Sequence, residues 1–99
     1  MILTYEITAT LAPELVSRYE DYMRRHHIPA LLATGCFKAA RFSRAAPGEY
    51  RMRYEAPDRA TLERYLAEHA PGLRAEFDAE FPSGVALTRT IWETIQEWS

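Results

Sequence analysis

A His-x-Pro phrase occurs twice in this chain and divides it into comparable halves. His27-Ile28-Pro29 closes one helical pattern, and His69-Ala70-Pro71 falls within a second. Each follows an amphipathic stretch with an aromatic and an aliphatic residue in tandem, Tyr22-Met23 in one and Tyr65-Leu66 in the other. Proline disfavours helical backbone in the residue before it, so each phrase predicts a helix end or a kink. A histidine just inside such a break keeps its ring at a helix terminus, near the sheet edge. The repeat therefore predicts two similar strand–helix halves, each presenting one imidazole.

The segments around the phrases read as follows. Ile2 to Leu11 alternates, with Leu3, Tyr5, Ile7, Ala9 and Leu11 on one face and Thr4, Glu6, Thr8 and Thr10 on the other, as in a strand with one buried side. Pro13-Glu14 opens a helix, because proline tolerates the first turn and a carboxylate suits its positive end. Leu15, Tyr19, Tyr22, Met23 and His26 fall on one side of that helix, and Pro29 is predicted to end it. Cys36 to Arg44 and Glu49 to Ala56 are predicted strands joined by the turn Ala45-Ala46-Pro47-Gly48. In the second of these Tyr50, Met52 and Tyr54 share the buried face. Asp58 is the predicted N-cap of the second long helix, whose stripe is Leu62, Tyr65, Leu66, His69, Leu73 and Phe77. Pro71-Gly72 is predicted to split or kink it. Val85 to Ile95, rich in β-branched residues, reads as the last strand.

The order βαββαβ over residues 1–99 predicts one α+β domain of ferredoxin-like type, a four-stranded antiparallel sheet with both helices on one face. The other face has no helix to cover it. Such a sheet stays wet on that side or pairs with a second copy.

Charge and composition narrow the functional classes. A net charge of -2 and a pI of about 5.9 give no electrostatic case for binding phosphate backbones or anionic membranes. Tyr50-Arg51-Met52-Arg53-Tyr54 lacks the glycines of an RNA-reading strand, so no nucleic-acid partner is predicted. The single cysteine, Cys36, permits no internal disulfide and fits a reducing cytoplasm. The first residues read as a strand rather than a signal peptide, and no run approaches the length of a membrane span. The expected location is cytoplasmic.

His27 and His69 are the candidates for catalysis. An imidazole at a pocket mouth serves as general base or ligand anchor, since it titrates near neutral pH. The other reading is an imidazole that bonds a terminal carbonyl and complements the helix dipole. No metal site is predicted. His26 and His27 are adjacent and point to different sides of a helix, and neither an HExxH motif nor a cysteine cluster is present. No motif identifies a cofactor. Glu6, Arg51 and Arg53 form a second set, because strands one and three are neighbours in this fold. Their polar faces place a carboxylate beside guanidinium groups on the uncovered side. Enclosed by a dimer, the set lines a polar cavity suited to a small carboxylate ligand; otherwise it is a cross-strand ion-pair ladder. Cys36 has no local cation or helix N-terminus to activate it and reads as a small buried hydrophobe.

Three stretches carry a family resemblance. His27-Ile28-Pro29-Ala30-Leu31-Leu32-Ala33-Thr34-Gly35-Cys36-Phe37 and Glu63-Arg64-Tyr65-Leu66-Ala67-Glu68-His69-Ala70-Pro71-Gly72-Leu73 are specific; Gly84 to Glu93 is looser. In this order they resemble a small bacterial family of unknown function. That family in turn resembles the dimeric α+β barrel superfamily, in which two ferredoxin-like sheets close into one barrel. Its members include antibiotic-biosynthesis-type monooxygenases, haem-degrading enzymes, muconolactone isomerases and stress-responsive barrels. The resemblance implies the fold and a homodimer. The expected function is a homodimer that binds a small organic molecule through residues among Glu6, Arg51, Arg53, His27 and His69, with monooxygenase- or isomerase-type activity in view. The alternative is a non-catalytic dimer whose open sheet face serves assembly only.

Overall fold

Period-two alternation makes the first strand, β1 (Leu3–Leu11): every odd residue is buried and the even ones are half-buried or exposed. The structure, a computed structural model, describes residues 2–99. A single 3-10 turn over Pro13–Leu15 leads into α1 (Val16–Tyr22), and a π turn over Met23–His27 joins it to α2 (Ile28–Ala33). The hairpin of β2 (Ala39–Ala46) and β3 (Glu49–Ala56) follows, then α3 (Arg59–Glu68), α4 (Ala70–Glu80) and β4 (Val85–Glu93). The sheet order is β2-β3-β1-β4, antiparallel throughout, which is the ferredoxin-like arrangement.

The first proline phrase does not end its helix. The Ile28 N–H reaches back to the Met23 carbonyl, an i→i+5 bond that widens the turn ahead of Pro29. Pro29 then occupies the second position of α2, just past the widened turn that makes room for its ring. His27 therefore sits within a continuous helical run, not at a terminus. The extra residue in the turn also changes which side chain faces inward: His26 is exposed and His27 half-buried. The second phrase does break the helix, as its proline predicts. His69 has φ −114° and ψ −41°, and Pro71 again takes the second position of the new segment, α4. Asp58 caps α3, its Oδ1 accepting the Thr61 N–H at 2.8 Å.

Two strand boundaries differ from expectation. β2 starts at Ala39, because Cys36 and Phe37 turn into the core before pairing begins. β4 stops at Glu93, beyond which Ile95 and Trp98 are 97% and 82% exposed. Gly84 enters β4 with φ +86°, a conformation that side-chain-bearing residues rarely adopt, and a Cβ there would also push the Leu15 side chain aside.

The core lies between the sheet and its single helical layer. β1 and β3 supply Tyr5, Ile7, Met52 and Tyr54, and the helices supply Tyr19, Met23, Leu62, Tyr65 and Phe77. Glu20 ties α1 to β3 by accepting from the Tyr50 hydroxyl at 2.5 Å and from Arg44 at 2.8 Å.

Candidate functional site

On the helix-covered side a small cavity of about 30 Å³ opens between α1, α4 and β4. Ile7 and Met52 form its floor, and Tyr19, Met23 and His27 come from α1 and the π turn. Phe77, Arg74 and Asp78 come from α4, while Leu87 and Arg89 come from β4. The π turn thus carries two lining side chains, one at each end; such turns recur at functional sites.

The electrostatics centre on His27. Burial first, then the positive charge of Arg89, lowers its pKa from the ordinary 6.5 to about 4. At neutral pH the ring is uncharged and retains a lone pair, the form that accepts a proton or a hydrogen bond. Its aromatic neighbours are Phe77 and Tyr22, with ring centroids at 5.4 and 6.1 Å. Arg74 donates to the Tyr5 hydroxyl at 3.0 Å.

Deeper in the core the phenol rings of Tyr5, Tyr54 and Tyr65 pack with Phe37. The Tyr19 hydroxyl donates to Met52 Sδ at 3.6 Å. The Tyr54 hydroxyl is buried without a partner. Burial, reinforced by neighbouring phenols, pushes the ionisation of Tyr54, Tyr19 and Tyr65 far above the usual range, so they act as neutral donors.

His69 does not join His27. It stacks on Tyr65 at 6.3 Å at the α3–α4 junction and lies outside the lining of the cavity. The two phrases therefore place their imidazoles in different surroundings.

Glu6, Arg51 and Arg53 do come together, on the opposite, uncovered face of the sheet. Glu6 pairs across the strands with Arg53, whose Nε lies 3.1 Å from its Oε1, and Arg51 Nε lies at 3.9 Å. Trp92 Nε1 donates to Glu6 Oε2 at 3.2 Å. The Glu6 side chain is only 13% exposed while both arginines are about half exposed. This is the geometry of a cross-strand ladder with a shielded carboxylate at its centre. Thr8 and Thr88 hydrogen-bond beside it. Cys36 is fully buried, and Arg64 donates to its Sγ at 3.6 Å. Among the described residues no three His, Cys, Asp or Glu side chains are grouped to hold a metal ion. Among the described residues no helix is long and apolar enough to cross a membrane.

Arg89 and Arg74 were not among the residues singled out by sequence. A signal was present for Arg89. The helix-facing positions of β4 read Val85, Leu87, Arg89, Ile91, a cation interrupting an apolar series, and the register sets Arg89 opposite Ile7 of the buried face.

A four-stranded antiparallel sheet covered on one face by a single helical layer defines a protein of ferredoxin-like fold. SnoaB, a cofactor-independent oxygenase from Streptomyces nogalater, superposes with a TM-score of 0.75 over 97% of this chain and 95% of its own, at 17% identity. Rv0793 from Mycobacterium tuberculosis matches over the whole of both chains with a TM-score of 0.70 and 17% identity. A structure described as an antibiotic biosynthesis monooxygenase covers 95% of this chain and 99% of its own, with a TM-score of 0.61 and 19% identity. At these identities the likeness is one of fold. The chain belongs to the DUF4286 family, a domain of unknown function, whose pattern matches residues 1–95. This bears out the resemblance to a family of unknown function with this architecture. No curated protein matches the chain in sequence.

Proposed function

We propose that this protein binds a small organic molecule in the cavity between its sheet and helices, beside His27 and Arg89. The observation that carries the reading is the placement of an uncharged imidazole and the Arg89 guanidinium at one opening, which Arg74 and Asp78 also edge, over an apolar floor. Binding sites are mostly apolar with a few convergent polar groups, and strongly shifted titratable groups cluster at them. Where turnover follows binding, as in an isomerase or monooxygenase, His27 is the proton acceptor, since its lone pair is free at neutral pH. His69 then has a structural role.

The open sheet face supports a homodimer. Trp92, on the open face of β4, is 51% exposed; Ile91, on the other face of the same edge strand, is 41% exposed, and the tail adds Ile95 and Trp98. Four large apolar residues along one edge strand and its extension favour burial against a second copy. Glu6 already has Arg51, Arg53 and Trp92 as partners within its own chain, which favours an assembly role for that set over ligand binding. The setting is cytoplasmic on this reading, with Cys36 kept reduced.

Native mass spectrometry of the protein purified from its own host tests the binding claim. A retained organic molecule, lost from the His27→Gln and Arg89→Gln variants, is expected. Retention unaffected by either substitution places the ligand elsewhere.

A further inference from the structure

Resting on the reading that the helix-covered cavity is the ligand site, we propose that its ligand is a small organic carboxylate, held by Arg74 and Arg89 at the cavity edge with its apolar part against Phe77 and Leu87.

Arg18, Arg25, Arg44, Arg53 and Arg59 each have a carboxylate within ion-pairing distance. Arg74 and Arg89 have none, although they come from different elements and line the same cavity. Arg74 donates to the neutral hydroxyl of Tyr5, and Arg89 makes no side-chain hydrogen bond among the described residues. Asp78 also lines the cavity but lies outside pairing distance of both guanidiniums. Two cations against one carboxylate leave the opening net positive, with His27 adding no charge. On the helix-facing side of β4, between Leu87 and Ile91, the exposed Arg89 guanidinium borders carbon surface and has no carboxylate to pair with. An anion supplies the missing partner, and a planar carboxylate matches the guanidinium fork.

The rest of the lining points to an organic anion. Ile7, Met23, Phe77 and Leu87 offer carbon surface that an inorganic ion does not use. The closed volume, about 30 Å³, holds little more than a water molecule or two. Arg74 and Arg89 are both exposed, so their side chains swing aside without unpacking the core. An anion beside Arg89 also offsets the charge that helps keep His27 neutral. Occupancy is therefore coupled to protonation of His27, and the coupling is reciprocal.

Isothermal titration of the full chain with benzoate, benzamide and inorganic phosphate tests the proposal, alongside NMR titration of the His27 ring. Benzoate is expected to bind roughly tenfold or more tightly than benzamide, the scale of one charge-assisted hydrogen bond. Arg74→Gln and Arg89→Gln should each weaken benzoate by a similar factor and leave benzamide within about twofold. The His27 midpoint should rise with benzoate and stay fixed with benzamide. Equal affinity for benzoate and benzamide overturns the carboxylate claim while leaving the cavity as a ligand site. Phosphate binding as tightly as benzoate overturns the organic class. Binding of none of the three overturns both the carboxylate claim and the site reading beneath it.

Discussion

His27 and Arg89 line one cavity from opposite sides of the α/β layer, and the guanidinium reinforces burial in keeping the imidazole uncharged at neutral pH. The relationship joins a π turn in the first helix to a misplaced-looking cation in the last strand.

The shifted imidazole makes stability depend on pH. In the unfolded chain a histidine binds its proton near pH 6.5, whereas in the folded chain His27 does so only near pH 4. Between these values unfolding takes up a proton, so acid favours the unfolded state. Stability is expected to be at its full value above pH 6.5 and to fall as pH drops toward 4. Chemical denaturation across this range should show a flatter profile for His27→Gln than for the natural chain. Parallel profiles would place the imidazole in water.

Removing the cation should release the histidine. In Arg89→Gln the His27 midpoint is expected to move up from about 4 toward 6.5 without reaching it, because burial is the larger cause. Proton NMR of the imidazole reads this directly. An unchanged midpoint would separate Arg89 from the site.

Two core substitutions should have contrasting effects. Leu62 is 1% exposed, and Leu62→Ala should cost about 2–5 kcal/mol. Tyr54→Phe removes a buried hydroxyl that has no partner, so it should be neutral or stabilise by about 1 kcal/mol. Urea unfolding measures both. A loss of more than about 1 kcal/mol on Tyr54→Phe, the scale of a single net hydrogen bond, would reveal a partner for that hydroxyl.

Much of this was legible in the chain because strand alternation and proline placement act locally. β1 and β3 follow their period of two without exception, and Asp58 caps α3 as its position predicts. Leu66 lies in the expected stripe but is only half-buried, since α3 ends two residues later. The course of the first helix was not legible. Pro29 disfavours helix locally, yet a π turn, stabilised by packing of Tyr19 and Met23 on the sheet, carries the backbone through. Glu6, Arg51 and Arg53 were found because register brings them together. Arg74 and Arg89 meet only through the tertiary packing of α4 over β4, which no local pattern encodes.

Assembly gives an independent check. At micromolar concentration sedimentation equilibrium should return twice the 11.4 kDa chain mass. Trp92→Glu should shift the balance toward monomer, because it sets a carboxylate beside Glu6 on the face proposed to pair. A monomer for the natural chain would leave the open face wet.

The central claim is that the ligand enters from the helix-covered side. Amide chemical-shift mapping during a benzoate titration tests it most directly. The largest shifts should fall on Met23, His27, Phe77, Leu87 and Arg89. Shifts concentrated instead on Glu6, Arg41, Arg51 and Arg53 would place the site on the opposite face of the sheet and contradict it.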